Sequence, residues 1–390
     1  MSAENAGEKE LNFGQTVDAV QAITPLLVLQ NESDQALVAV CPTLQGRVLT
    51  STARGTQGRS YGWVNHGLIG SKKHLAHFNP YGGEDRIWLG PEGGQYAIYF
   101  APGTSFDLDN WYVPAPLDTE PFEVAEQSAS HVRLTKKFRQ VNYSGAEFEI
   151  GLNRVVRVLP AHQASTTLPP ELLKGVSTVA FESHNVLTNL GSQSWTREGG
   201  LLSLWIIGQF NASPSSTIVI PFHAGPEDKL GTPINTNYFA PLDDKRLRVF
   251  DGYACYKGDS RYRSKIGVNP HRVTGRLGSY DAEHNVLTLV EHSVNAPDAG
   301  YVNSEWQLQE HPYAGDVANC YNDGPAPNGN QLGAFYELES SSPAAALAPG
   351  ATMEHTHRTL HFEGDKARLD AIARAAFGAS LDEIASALPA

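Results

Sequence analysis

The sequence predicts an all-β protein with one large antiparallel fold and a short helical tail. Apolar residues recur mostly at every second position, and Gly, Pro, Asn and Asp interrupt the apolar segments roughly every ten residues. Long stretches with the 3.6-residue period of an amphipathic helix are nearly absent. The segments predicted to be strands are 24–31, 35–43, 95–102, 131–139, 177–189, 285–293 and 351–364.

The tail is the exception to this strand pattern. Asp365 precedes an apolar stripe of helical spacing, and Gly378 follows the stripe as a stop signal. A second short helix is predicted to begin after Ser380, because Glu383 three residues later completes a capping box.

Composition indicates a globular chain with one continuous core. Hydrophobic residues make up 41% and charged residues 18% of the 390 residues, and all-β folds of this size often form a single unit. We therefore expect one domain over residues 1–390, with a core at about 20–365 and a helical tail at 366–388.

Charge and apolar patterning exclude several classes of partner. A net charge of −13 argues against nucleic acid, which is bound by clustered Lys and Arg. No apolar run is long enough to span a membrane, and Cys41, Cys255 and Cys320 fit core thiols better than disulfides. The chain as written is expected to be cytoplasmic, or secreted or periplasmic if a leader has been removed. The pattern carries no signal for the oligomeric state.

The densest polar cluster lies in residues 61–94, where glycines and aromatic residues surround charged side chains. Such a segment allows close backbone approach to a ligand and convergence of polar groups on it. The alternative is a long surface loop with its own salt bridges. The candidate site residues in this cluster are His66, His74, Glu84, Asp85 and Arg86.

A pair of carboxylates marks the segment 333–350. If this segment is a strand, Glu337 and Glu339 share one face, and their repulsion raises the pKa of one of them. A carboxyl of this kind suits acid or base catalysis, and Glu339 is the preferred base. The alternative is that both are exposed residues on a solvent-facing strand.

Three histidines, His355, His357 and His361, share one face of another predicted strand. Imidazoles at this spacing can chelate a divalent metal, but a row of hydrogen-bonded histidines is the alternative. No HExxH is present, so the motif of zinc proteases is missing.

A row of cationic side chains lies in the segment 260–267. Arg261, Arg263 and Lys265 fall on one face if the segment is extended, where they could meet a carboxylate or sulfate of a substrate. The alternative is a solvated face or a set of internal ion-pair partners.

The segment 303–325 combines aromatic and amide side chains, a mixture that sugar-binding sites tend to use. A loop of Asx turns is the alternative. The candidate binding residues here are Trp306, His311, Tyr321, Asn322 and Asp323.

Several longer strings carry a family resemblance, which runs from about residue 20 to 365. They are GGEDRIWLGPEGG, GLLSLWIIGQF, YRSKIG, GSYD, YNDGP and FYELESSSPA. With these strings the chain resembles the galactose mutarotase-like (aldose 1-epimerase-like) β-supersandwich proteins, and most closely an uncharacterised bacterial branch of unknown function.

The resemblance implies a large antiparallel β-supersandwich with a concave sheet face that binds a sugar or oligosaccharide. It places Arg86 at the substrate and makes Glu339 the base that takes the anomeric hydroxyl proton. His66 or His74 would then be the acid.

Three functions follow from these residues. The first is a carbohydrate-active enzyme, either an epimerase or a lyase or hydrolase in which the row of Arg261, Arg263 and Lys265 neutralises an enolate. The second is a non-catalytic carbohydrate-binding protein. The third is a metal-dependent enzyme that acts on a keto-sugar glycoside through the three histidines. No cofactor is expected in the first two cases, and a divalent metal is expected in the third.

Overall fold

A computed structural model describes residues 10–31, 35–239, 241–326 and 329–389. Within these ranges the chain forms three antiparallel sheets and a small number of helices. The strands are β1 Leu27–Gln30, β2 Leu37–Cys41, β3 Arg47–Thr52, β4 Arg86–Gly90, β5 Glu123–Gln127, β6 His131–Val141, β7 Glu147–Val158, β8 Ser177–Asn189, β9 Ser203–Asn211, β10 Ser216–Pro221, β11 Leu247–Val249, β12 Tyr253–Lys257, β13 Ser264–Val268, β14 Arg276–Asp281, β15 Val286–His292, β16 Ala318–Asn322, β17 Phe335–Ser341 and β18 Thr352–Glu363.

The α-helices are short and lie mainly at the two ends of the chain. They are α1 Phe13–Gln21, α2 His66–Ser71, α3 Ala115–Asp118, α4 Glu227–Leu230, α5 Lys366–Phe377 and α6 Leu381–Ser386. Within the described ranges, no helix combines the length and apolarity needed to cross a membrane.

The sheets contain ten, five and three strands. The ten-stranded sheet has the order β11-β12-β10-β14-β15-β18-β8-β7-β6-β5, and the five-stranded sheet has the order β13-β16-β17-β9-β4. The small sheet is β1-β2-β3. This architecture confirms the predicted all-β antiparallel fold with a helical tail.

The core lies between the two large sheets. Alternate residues of the ten-stranded sheet, such as Phe181 and Val290, pack against residues of the five-stranded sheet such as Ile206 and Leu338. The opposite face of the ten-stranded sheet is covered by α5 and α6. One face of the five-stranded sheet is therefore committed to the core, and its other face carries the cleft described below.

The structure agrees with most of the predicted strands, and β8 has the predicted bounds. The segment 95–102 is a correction, because it forms only a single bridge, between Phe100 and Trp111, instead of a strand. Its aromatic side chains are buried in the core although the segment is an irregular loop. The apolar alternation here therefore reflects burial and not a strand.

The helix ends differ in part from the prediction. At α6 the side chains of Ser380 and Glu383 form the predicted capping box, whereas Asp365 precedes α5 without a side-chain cap hydrogen bond. Gly378 ends α5 in the left-handed region with φ of 75°, as a C-terminal glycine should. Helix α1 was not predicted, although Asn12 and Gln15 form a capping box at its start.

Candidate functional site

A cleft of about 410 Å³ opens on the face of the five-stranded sheet that points away from the core. The strand register places Gln209 of β9, Glu337 of β17, Tyr321 of β16 and Lys265 of β13 side by side across the sheet. Because these four residues are directly paired neighbours, their side chains emerge on one face and form the floor of the cleft.

Strand β4 completes this floor at the edge of the sheet. Gly82 and Gly83 have positive φ angles of 90° and 116°, and a Cβ atom on either would collide with a backbone oxygen, that of Trp63 or Val48. These glycines let the chain turn tightly into β4, where Arg86 lines the cleft.

Aromatic side chains form the walls. The rings of Trp111 and Trp306 stack with centroids 5.8 Å apart, and Trp88 meets Trp205 edge to face at 5.5 Å. Such walls offer flat apolar surfaces of the kind on which a pyranose ring can stack. The further aromatic lining residues are Phe78, Tyr238, Phe239 and Tyr321.

Glu337 is the carboxyl at the floor of the cleft. Its Oε1 accepts hydrogen bonds from Nε2 of Gln209 at 2.8 Å and from Nη2 of Arg86 at 3.2 Å. Its Oε2 makes no hydrogen bond to any described residue. Burial raises the pKa of Glu337 to about 8, and the charge of Glu339 adds to this rise while Arg86 and Lys265 oppose it. The group is therefore mostly protonated at neutral pH.

Glu339 lies on the same face of β17 but beneath the surface of the cleft. Its side chain is fully buried, and its Oε2 accepts from Nζ of Lys265 at 2.9 Å and from Nε1 of Trp205 at 2.8 Å. Glu337 lines the cleft, whereas Glu339 does not, so the predicted base is less accessible than its neighbour.

A second carboxyl, Glu92, lines the cleft. Burial raises its pKa, and the charge of Glu339 raises it further, while the charge of Lys265 and a hydrogen bond with Trp306 lower it. Burial thus raises the pKa of two carboxyls that line the cleft, Glu337 and Glu92.

The structure brings six of the predicted site residues into the cleft. They are Arg86, Arg263, Lys265, Trp306, Tyr321 and Glu337.

Glu84 and Asp85 lie elsewhere, although both are fully buried. Asp85 forms a buried ion pair with Arg154 at 2.6 Å, and Oε2 of Glu84 lies 2.8 Å from Nε2 of His361. Their neighbour Arg86 is the residue of this motif that lines the cleft. Asp85 faces the opposite side because successive residues in an extended chain alternate, and Glu84 precedes β4, which begins at Arg86.

The two histidines predicted as the acid are also outside the cleft. His66 starts helix α2 and lines a separate cavity of about 970 Å³, and His74 is exposed in the loop that follows this helix. Arg261 and His311 are likewise exposed and do not line the cleft. Arg261 differs from Arg263 because β13 begins only at Ser264, so the preceding residues follow no strand alternation.

Asn322 and Asp323 support the cleft from below. Oδ1 of Asp323 accepts from the hydroxyl of Tyr321 at 2.7 Å, and Oδ2 accepts from the backbone N–H groups of Leu332 and Gly333. Oδ1 of Asn322 accepts from the backbone N–H of Ser260 at 2.8 Å. Both side chains hold the surrounding loops and are not part of the cleft surface.

The histidine row of β18 lies between the two large sheets. Nε2 of His355 and Nδ1 of His357 both lie 2.8 Å from the hydroxyl of Ser340, which points away from the cleft. His361 meets Thr288 through Nδ1 at 2.9 Å, in addition to Glu84. In the part of the chain that the structure describes, no group of three or more His, Cys, Asp or Glu side chains is arranged to hold a metal ion. The geometry resembles the alternative hydrogen-bonded row more closely than a metal site.

Several cleft residues were missed by the sequence reasoning. Trp205 and Gln209 were signalled by the alternation in β9, since they share a face with Ile207. Trp111, Tyr238 and Glu92 come from irregular segments, where no period indicates which side chains converge.

The architecture is that of the galactose mutarotase-like proteins, as the resemblance implied. A candidate aldose 1-epimerase from Escherichia coli K12 matches with a TM-score of 0.53 and 12% identity over 87% of this chain and 99% of that chain. A galactose mutarotase-like protein from Lactobacillus casei ATCC 334 matches with a TM-score of 0.49 and 12% identity over 87% and 100% of the two chains. At 12% identity, the match to the Escherichia coli protein shows the fold alone.

Within that class, the chain belongs to a family of unknown function, DUF6786, whose model matches residues 11–388. No curated protein matches the chain. Membership of this family therefore assigns no activity to the chain.

Proposed function

We propose that this protein is a carbohydrate-active enzyme that transfers a proton to a sugar bound in the cleft, with aldose 1-epimerase-like ring opening as its reaction. The observation that carries the proposal is the carboxyl of Glu337 on the floor of an aromatic-walled cleft, where burial raises its pKa to about 8. A carboxyl whose pKa lies near the working pH is well suited to general acid catalysis.

Glu337 acts first as an acid because it is protonated at neutral pH. Its proton goes to the ring oxygen of the sugar as the bond between that oxygen and the anomeric carbon breaks. The proton of the anomeric hydroxyl passes to solvent water in the open cleft, which leaves the carbonyl of the open-chain sugar. The carboxylate that remains is stabilised by Arg86 and Gln209, which already donate to Oε1. The free Oε2 is the oxygen left for the sugar.

Glu339 and Lys265 act through Glu337 in this proposal. The buried negative charge of Glu339 raises the pKa of Glu337, and Lys265 limits that rise. The two residues are therefore positioning residues. In this proposal Glu339 does not act as the base that the sequence predicted but tunes the pKa of Glu337. The cation of Lys265 also lies 4.7 Å from the ring centroid of Trp205, which fixes both side chains.

The test compares wild type with Glu337→Gln on a panel of neutral sugars, uronates and sugar phosphates, with ligand binding and product measured separately. Gln keeps the shape and the hydrogen-bond acceptor of the side chain but cannot donate the acidic proton. We expect both proteins to bind the sugar and the variant to lose about a hundredfold or more in turnover.

Equal turnover by the two proteins would remove Glu337 as the acid. Binding by both without turnover by either would favour a non-catalytic carbohydrate-binding protein instead.

A further inference from the structure

The cleft holds buried hydrogen-bond donors that have no partner among the described residues. They are Nε and Nη1 of Arg86, Nε1 of Trp111 and Nε of Arg263, and Oε1 of Gln209 in the cleft floor is a buried acceptor that also lacks a partner among the described residues. A buried donor without a partner is unfavourable, so these groups indicate a ligand that supplies mainly acceptors.

Arg86 is the most enclosed of these donors. It is only 4% exposed, and its guanidinium lies 4.2 Å from the ring centroid of Trp88. Its salt bridge to Glu337 joins it to a carboxyl that is mostly protonated at neutral pH, so the cation is only partly compensated.

Among the three cations that line the cleft, Arg263 has the fewest polar partners in the described residues. It forms no salt bridge and no side-chain hydrogen bond with any described residue, and it contacts the ring of Phe239 with its guanidinium 5.9 Å from the centroid. The nearby acid Asp323 already accepts from Tyr321, Leu332 and Gly333. Lys265, by contrast, is neutralised by Glu339.

The two arginines lie at opposite ends of the cleft, with Glu337 between them. Arg86 lies on β4 and Arg263 directly precedes β13, which are the opposite edges of the five-stranded sheet, and Glu337 lies on the central strand between them. The other charged residues that line the cleft are Lys265, Glu92 and Glu305.

We propose that the substrate is a sugar with an anionic substituent, a carboxylate or a phosphate, which Arg263 binds while Arg86 and Trp111 donate to uncharged sugar oxygens. Guanidinium groups bind both anions through charge-assisted hydrogen bonds. This inference rests on the proposed function of the cleft and names its substrate class.

The experiment measures dissociation constants by calorimetry for galactose, galacturonate and galactose 6-phosphate. We expect wild type to bind at least one of the anionic sugars about tenfold or more tightly than galactose. Arg263→Gln should remove most of this preference and change the affinity for galactose less than about twofold.

Two matched variants serve as controls. Arg261→Gln makes the same change two residues earlier at an exposed position outside the cleft and should alter nothing. Arg263→Lys keeps the charge and should retain most of the preference. Thermal unfolding of each variant checks that it is folded.

The anionic sugar that is preferred assigns the substituent as carboxylate or phosphate. Binding of galactose as tightly as both anionic sugars would overturn the inference, as would an equal loss for all three sugars in Arg263→Gln. Tight binding of an anionic sugar without any turnover by wild type would contradict the proposed enzyme activity and leave the anion site standing.

Discussion

Nζ of Lys265 lies 2.9 Å from Oε2 of Glu339, and this buried ion pair separates the roles of two carboxyls on one strand. Glu339 is fully buried with its charge matched, whereas Glu337, two residues earlier, lines the cleft and is mostly protonated. The two carboxyls of this strand thus differ, because Glu339 is ion-paired with Lys265 whereas burial raises the pKa of Glu337.

The pH dependence of turnover should follow Glu337. Since its pKa is about 8 and the protonated form is the proposed acid, the rate should fall as pH rises through about 8. Initial rates between pH 6 and 10 would measure this. A rate that rises through the same range would mean that Glu337 acts as a base.

Glu337 should also make the wild-type protein less stable at alkaline pH. The pKa of this group is raised in the folded state from 4.5 to about 8, so the stability that it contributes is complete below about 4.5 and is lost as pH rises towards 8. Relative to wild type, Glu337→Gln should therefore gain on the order of 4 kcal/mol between pH 5 and pH 9. Urea unfolding at the two pH values measures the change, and a constant difference would contradict it.

Asp85 should matter for stability and not for the sugar. Replacing it by Ala leaves Arg154 buried without its charged partner, so the free energy of unfolding should fall by about 3–5 kcal/mol. The affinity of the folded variant for a sugar should be unchanged. Asp382→Ala, which breaks an exposed pair with Lys366, should cost less than about 1 kcal/mol.

The buried histidines should make the fold sensitive to acid. Burial lowers the pKa of His292 from 6.5 to about 4, and burial also lowers the pKa values of His355 and His357. The unfolded chain binds protons that the folded protein excludes, so stability is complete above about 6.5 and is lost as pH falls towards 4. The melting temperature of His292→Gln should fall less between pH 7 and pH 5 than that of wild type.

His74→Gln is the control for this prediction because His74 is exposed. It should show the wild-type slope. The same slope in the His292 variant would mean that this residue does not carry the acid sensitivity.

The fold was largely predictable because strand alternation is a local property. Residues 183–189 of β8 alternate in burial, and the predicted bounds of the strand match the observed ones. The failure at 95–102 has a physical cause, since aromatic side chains can be buried from a loop as well as from a strand.

The cleft was predictable only in part because depth and convergence are not local. The sequence placed Glu337 and Glu339 on one face, but which of them is enclosed depends on Trp205 and Lys265, which come from other strands. His66 failed as a candidate because α2 directs it into a different cavity.

The most direct test of the account is the titration of Glu337 itself, by carbon-13 NMR of glutamate carboxyl groups with Glu337→Gln to assign the signal. We predict a midpoint near 8 in the free protein. A midpoint near 4.5, the ordinary value for glutamate, would leave the group ionised at neutral pH and contradict its role as the proton donor.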